Sequence, residues 1–162
     1  MLTFEVNKQA PISISSNWFK KIADAFAREN KLTGQWYFSL AFVDNKTIRK
    51  FNRLYRGRDC VTDVLSFSEE NNKFGNLVEE EKYLGEIVIS APQAKKQARE
   101  LRCSLKNEVG RLLVHGLAHL AGYDHEGQDP KNARKMLKLE KRVLAKLKIW
   151  QIFNFEEEQL MR

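Results

Sequence analysis

Three histidines occur in the 162 residues, and all three lie between positions 115 and 125. They fall in the stretch Val114-His115-Gly116-Leu117-Ala118-His119-Leu120-Ala121-Gly122-Tyr123-Asp124-His125, with the pattern HxxxHxxGxDH. On a helix, residues four apart stack on one side about 6 Å apart, so His115 and His119 can face one ion. Gly122 permits the left-handed backbone that ends a helix and turns the chain, which would carry His125 back towards the other two. A lone histidine is ordinarily a packing or surface residue, but clustering at helical spacing before a glycine turn calls for a metal. Three imidazoles with an open fourth position are the arrangement of a catalytic zinc site, whereas structural zinc closes with four ligands. The expected cofactor is one Zn2+ per chain, although Ni, Fe or Cu would accept the same donors.

The spacing is that of the long zinc-hydrolase motif HExxHxxGxxH. Gly116 stands where a metallopeptidase carries its glutamate base, which argues against peptide hydrolysis by the usual route. Three neutral imidazoles leave the ion's charge uncompensated by protein anions. Such a site acidifies a bound water and polarises a phosphoryl oxygen, and both effects suit phosphodiester hydrolysis.

The variant HGxxHLxGYDH resembles the YbeY family of bacterial endoribonucleases. A second block, Asn52-Arg53-Leu54-Tyr55-Arg56-Gly57-Arg58-Asp59-Cys60-Val61-Thr62-Asp63-Val64-Leu65-Ser66-Phe67, is similar to that family's NxxYRxxDxxTDVLSF segment, and Leu84-Gly85-Glu86-Ile87-Val88-Ile89 to its LGDIxI strand. The blocks keep the family's order, and with the matching length the resemblance covers essentially the whole chain. The resemblance implies a single-strand-specific, zinc-dependent endoribonuclease acting in ribosomal RNA processing (16S rRNA 3′-end maturation) and ribosome quality control. Its partners would be single-stranded RNA or rRNA, the small ribosomal subunit and assembly factors. It implies His115, His119 and His125 as metal ligands and catalytic residues, with Arg56 as the family's arginine. A guanidinium can grip phosphate in a bidentate fashion, and the competing role for Arg56 is a salt bridge to Asp59 or Asp63. Some positions depart from the pattern: Cys60 and Ser68 stand where prolines are common, Glu86 replaces aspartate, and Ala118 replaces leucine. Cys60 reads as a small buried thiol.

Other residues near these blocks have two roles open to them. Asp124 can orient a ligand histidine or cap the turn after Gly122. Glu108, on the histidine side of the helix, reads as a surface acid. Tyr55, Phe67 and Tyr123 can stack on unpaired bases, with core packing the competing role for the last two above all.

The elements that must position these residues follow from periodicity. Strands are expected at Thr3 to Asn7, Gln35 to Val43 and Leu84 to Ser90, with Val61 to Ser68 extended. Helices are expected after the caps Ser15 or Ser16, Asp44, Ser104 and Asp129-Pro130, and from Ala91-Pro92 towards Leu101. Residues 69–82 read as an exposed loop or irregular hairpin. The expected fold is α+β: one mixed sheet of about four strands packed with about five helices, with a zincin-like active-site helix, in a single hydrolase domain over residues 1–162.

The net charge of +7 is uneven: +6 over residues 1–60, −5 over 61–90, +8 over 91–150 and −2 over 151–162. Basic blocks favour an anionic partner such as RNA, although the run Lys131, Arg134, Lys135, Lys138, Lys141, Arg142 and Lys146 has the spacing of a solvated helix face. The composition excludes collagen-like and broadly disordered chains. Two distant cysteines are not a disulfide scaffold, and neither a secretion signal nor a membrane span is visible, so the cytoplasm is expected. Two other functions remain open. One is an rRNA-binding ribosome-assembly factor whose metal is structural; the other is a metallohydrolase of another substrate class, such as a peptidase.

Overall fold

A computed structural model describes residues 1–69 and 81–149. Four strands, β1 (Leu2–Lys8), β2 (Trp36–Val43), β3 (Val64–Ser68) and β4 (Lys82–Ser90), form one sheet in the order β1-β2-β4-β3. The pairs β1–β2 and β2–β4 are parallel, and β3 runs antiparallel to β4 along one edge. Five helices are found among the described residues: α1 (Ser16–Glu29), α2 (Asn45–Arg56), α3 (Ala91–Glu100), α4 (Leu105–Leu120) and α5 (Pro130–Lys146). The expected α+β architecture is the observed one. Most of the expected loop, residues 70–80, lies outside the described residues, and β4 begins at Lys82, two residues before the expected start.

The helix starts are set by side-chain caps. Asp44 accepts the Thr47 N–H at 2.7 Å, Ser104 the Asn107 N–H at 3.2 Å, and Asp129 the Lys131 N–H at 2.9 Å, with Pro130 opening α5. Each cap satisfies a donor that the first turn would leave unpaired.

Alternation along the strands divides the apolar residues between two faces. Phe38, Leu40, Phe42, Ile87 and Ile89 join the larger core with α1, α3, α4 and α5, while Ala41, Val43, Leu65 and Val88 pack with Ile48 of α2 on the other face. Thus α2 and α4 lie on opposite faces of the sheet, and both border the edge strand β3. Residues from two distant parts of the chain meet across that edge.

From Glu108 to Leu120, α4 is buried nearly all round; only Arg111, His115 and His119 are partly exposed. A helix packed on one side only would leave its opposite face to solvent. The apolar core accounts for the difference, because Val114 and Ala118 are buried in it as fully as Leu113 and Leu117. The remaining strip, at spacing four, opens onto a cleft.

Candidate metal centre

His115 and His119 stand one turn apart on that strip. The chain leaves α4 through Gly122, whose φ of +93° is the left-handed geometry the turn required, and returns His125 to the pair. The ring centroids lie 4.8, 4.9 and 5.1 Å apart, and one nitrogen from each ring falls within 4.8 Å of the others. Three imidazole nitrogens and no carboxylate make a donor set suited to a borderline-soft divalent transition ion, so the residues present fit a metal.

Protonation favours ligation. Burial, reinforced by the neighbouring His115 and His125, lowers the pKa of His119 to about 4. Its nitrogen lone pair is therefore free near neutral pH. For His115, Glu140 of α5 fixes the tautomer: Nδ1 lies 2.7 Å from the Glu140 Oε1. A carboxylate there can only accept, so Nδ1 carries a proton and Nε2 is the ring nitrogen placed to face an ion.

Glu140 escaped the sequence reading. A signal was present, because it lies four residues from both Met136 and Leu144 of the buried stripe of α5. A carboxylate on an apolar stripe needs a buried partner. Asp124 meanwhile caps the turn: its Oδ1 accepts the Glu126 N–H at 2.8 Å.

The cleft of about 350 Å³ is lined by the three histidines on one side and by Asn52, Arg56, Arg58 and Cys60 on the other. Arg56 ends α2, and its Nη2 donates to the Ser66 carbonyl of β3 at 3.2 Å. Neither acid that competed for Arg56 in the sequence takes it. Asp59 accepts from Arg49 at 2.9 and 3.2 Å, and Asp63 accepts from the Val64 N–H and from Gln97. The Arg56 guanidinium thus faces the cleft without an acidic partner among the described residues.

Gly116 also borders the cleft, yet a Cβ there would come within 2.9 Å of Ile87 Cγ2. The helix sits so close to β4 that any side chain at position 116 would force Ile87 to shift.

Two expectations are corrected. Glu108 is no surface acid: it is fully buried, and both its oxygens accept from Arg111, at 2.7 and 3.0 Å. Cys60 is exposed, not buried, because the segment after Gly57 runs back along α2, held by the Asn52 Nδ2 donating to the Cys60 carbonyl at 3.0 Å.

The three aromatics divide. Tyr55 is 66% exposed and stands edge-on to Phe67, centroids 5.2 Å apart, whereas Phe67 packs on the α2-side core. Tyr123 packs on the main core and donates its hydroxyl to Asn30. Glu86 does not line the cleft. Burial and Glu5 raise its pKa on the sheet face away from α4.

The α+β fold thus presents, at the edge of a mixed sheet, three converging imidazoles that could hold a metal ion beside an open cleft. The family model "Endoribonuclease YbeY" matches residues 3–148, and the chain belongs to that family. Two proteins named endoribonuclease YbeY, from Clostridioides difficile strain 630 and Syntrophomonas wolfei, are 38% and 37% identical to it over 146 and 157 residues. Those matches cover 88% and 92% of this chain, and 94% and 99% of the relatives. A solution structure from Thermotoga maritima is similar in fold, with a TM-score of 0.56 and 26% identity, over 91% of this chain and 92% of that one.

Proposed function

We propose that the three-histidine cluster holds a zinc ion and that the cleft it shares with Arg56 cleaves single-stranded RNA. As a member of its family the chain is an endoribonuclease, a hydrolase acting on RNA phosphodiester bonds, in ribosomal RNA processing. The observation that carries the site assignment is the convergence of the three ring nitrogens within 4.8 Å on a cleft whose other wall presents Arg56.

His115 Nε2, His119 and His125 would hold the ion. When bound there, it supplies an activated water and a polarised phosphoryl oxygen. The chain's own residues do the rest. Glu140 keeps the His115 proton on Nδ1, so that the donor nitrogen points inward. Arg56 binds a non-bridging phosphate oxygen and stabilises the charge that develops on it. Tyr55, exposed beside Arg56, offers a face for an unpaired base. Gly116 offers no carboxylate of the peptidase type, and Ile87 packs closely against it.

Among the described residues no helix is long and apolar enough to cross a membrane. Family membership supports work in the cytoplasm on the small ribosomal subunit, in rRNA maturation and ribosome quality control.

The test is cleavage of single-stranded RNA, duplex RNA and casein by the purified protein, its His119→Ala variant and a chelated sample, with metal analysis of each. Single-strand cleavage that disappears in both controls, in samples that otherwise contain stoichiometric zinc, is the expected result. Cleavage unchanged by the substitution would overturn the site assignment.

A further inference from the structure

A second concavity, of about 660 Å³, lies beside the cleft and is lined by Lys46, Thr47, Arg49, Lys50, Arg53 and Asp59. Four of those six residues are cationic. Its one acid, Asp59, is bonded to Arg49, which leaves the side chains of Lys46, Lys50 and Arg53 exposed and without a hydrogen bond or ion pair among the described residues. These three recur at spacings of four and three, so they form one stripe along α2.

The groove and the cleft share a wall. Asn52, Arg56, Arg58 and Cys60 face the cleft, while their chain neighbours Arg53 and Asp59 face the groove. The return segment after Gly57, tied to α2 through Asn52 and Arg49, separates the two. Exposed Arg58 lies in that segment, so cations continue from the cleft into the groove. From Lys46 to Arg56 the stripe covers about 15 Å of helix.

An isolated basic face is ordinarily solvated, as is the exposed row on α5. The α2 stripe differs in being concave, in holding its only acid already paired, and in starting at the residue that faces the histidines. We infer that the groove of Lys46, Lys50 and Arg53 holds the phosphodiester backbone of the RNA strand that flanks the cleaved bond. The inference rests on the endoribonuclease reading. It deepens that reading by assigning the path of the strand away from the cleft, over the α2 side.

The test is binding, in a His119→Ala background, of a fluorescently labelled oligouridine of about 20 nucleotides, read by anisotropy across a salt series. Single-stranded contacts contribute about 0.7 each to the slope of log affinity against log salt. The triple variant Lys46→Gln/Lys50→Gln/Arg53→Gln should lower that slope by about 2. Its affinity at 0.1 M salt should fall by up to about 100-fold, if the loss vanishes near 1 M. Removing the same number of charges from α5, as Lys131→Gln/Lys135→Gln/Lys138→Gln, should change the slope by less than about 1.

An unchanged slope in the α2 variant overturns the inference. So does an equal loss in the α5 variant, which would mean a diffuse field and no groove. Because cleavage is not the readout, a protein that bound through the groove but failed to cut RNA would refute the endoribonuclease reading alone.

Discussion

Glu140 offers the sharpest test of how the metal centre is built. Its carboxylate lies 2.7 Å from His115 Nδ1, and the two side chains are only 14% and 28% exposed. That shielding separates the contact from an exposed ion pair, which is worth little. Two properties of the carboxylate act on the ring: an acceptor that holds the tautomer, and a charge that makes Nε2 a better donor. Glu140→Gln retains an acceptor oxygen and loses the charge, whereas Glu140→Ala loses both. Partners of this kind are worth about 10- to 100-fold in metal affinity, or roughly 1.4 to 2.7 kcal/mol. The glutamine variant should fall near the lower figure and the alanine variant near the upper. The assay is competition for zinc against a fluorescent chelator at neutral pH, with circular dichroism to confirm that α5 is intact. Should the alanine variant bind zinc within about twofold of the unaltered protein, the account of His115 orientation is wrong.

Three further outcomes follow from other parts of the cleft. Arg56→Ala should keep its metal and lose about 10²- to 10³-fold in turnover, the usual cost of removing one preorganised charge-stabilising donor; metal analysis beside single-turnover cleavage checks both halves. Glu108→Ala leaves the Arg111 guanidinium, itself only 17% exposed, without its buried carboxylate, and should destabilise the fold by about 3–5 kcal/mol in urea denaturation. The chelated protein should lose stability as pH falls from 6.5 towards about 4, because the unfolded chain takes up a proton that folded His119 refuses. With allowance for the partial exposure of His119 the loss is ~2 kcal/mol, and it should be absent from the matching His119→Ala series.

Much of the fold was legible because it is local chemistry. Ser104 and Asp44 announce helix starts by side-chain type, and both cap as the sequence suggested. The four-residue spacing of His115 and His119 and the glycine at 122 likewise carry their own geometry. The errors arose where the outcome depended on neighbours distant in the chain. Glu108 has the sequence context of a surface acid, but α4 is enclosed by the core and its carboxylate is buried with Arg111. Cys60 has the composition of a buried thiol, but a return against α2 leaves it on the rim of the cleft.

By itself, then, the sequence determined the three ligand candidates, the helix and turn that carry them, and the alternation that makes a mixed sheet, since each follows from spacing within a few residues. Tertiary structure decided the rest of the site. Only packing brings Glu140, 25 positions away, onto His115, assigns Asp59 to Arg49 and so leaves Arg56 facing the cleft, and lays the α2 stripe beside it. The physical reason is that hydrogen-bond partners and burial are properties of surfaces in contact, and α2, α4 and α5 meet those surfaces only after the sheet has brought its two faces to a common edge.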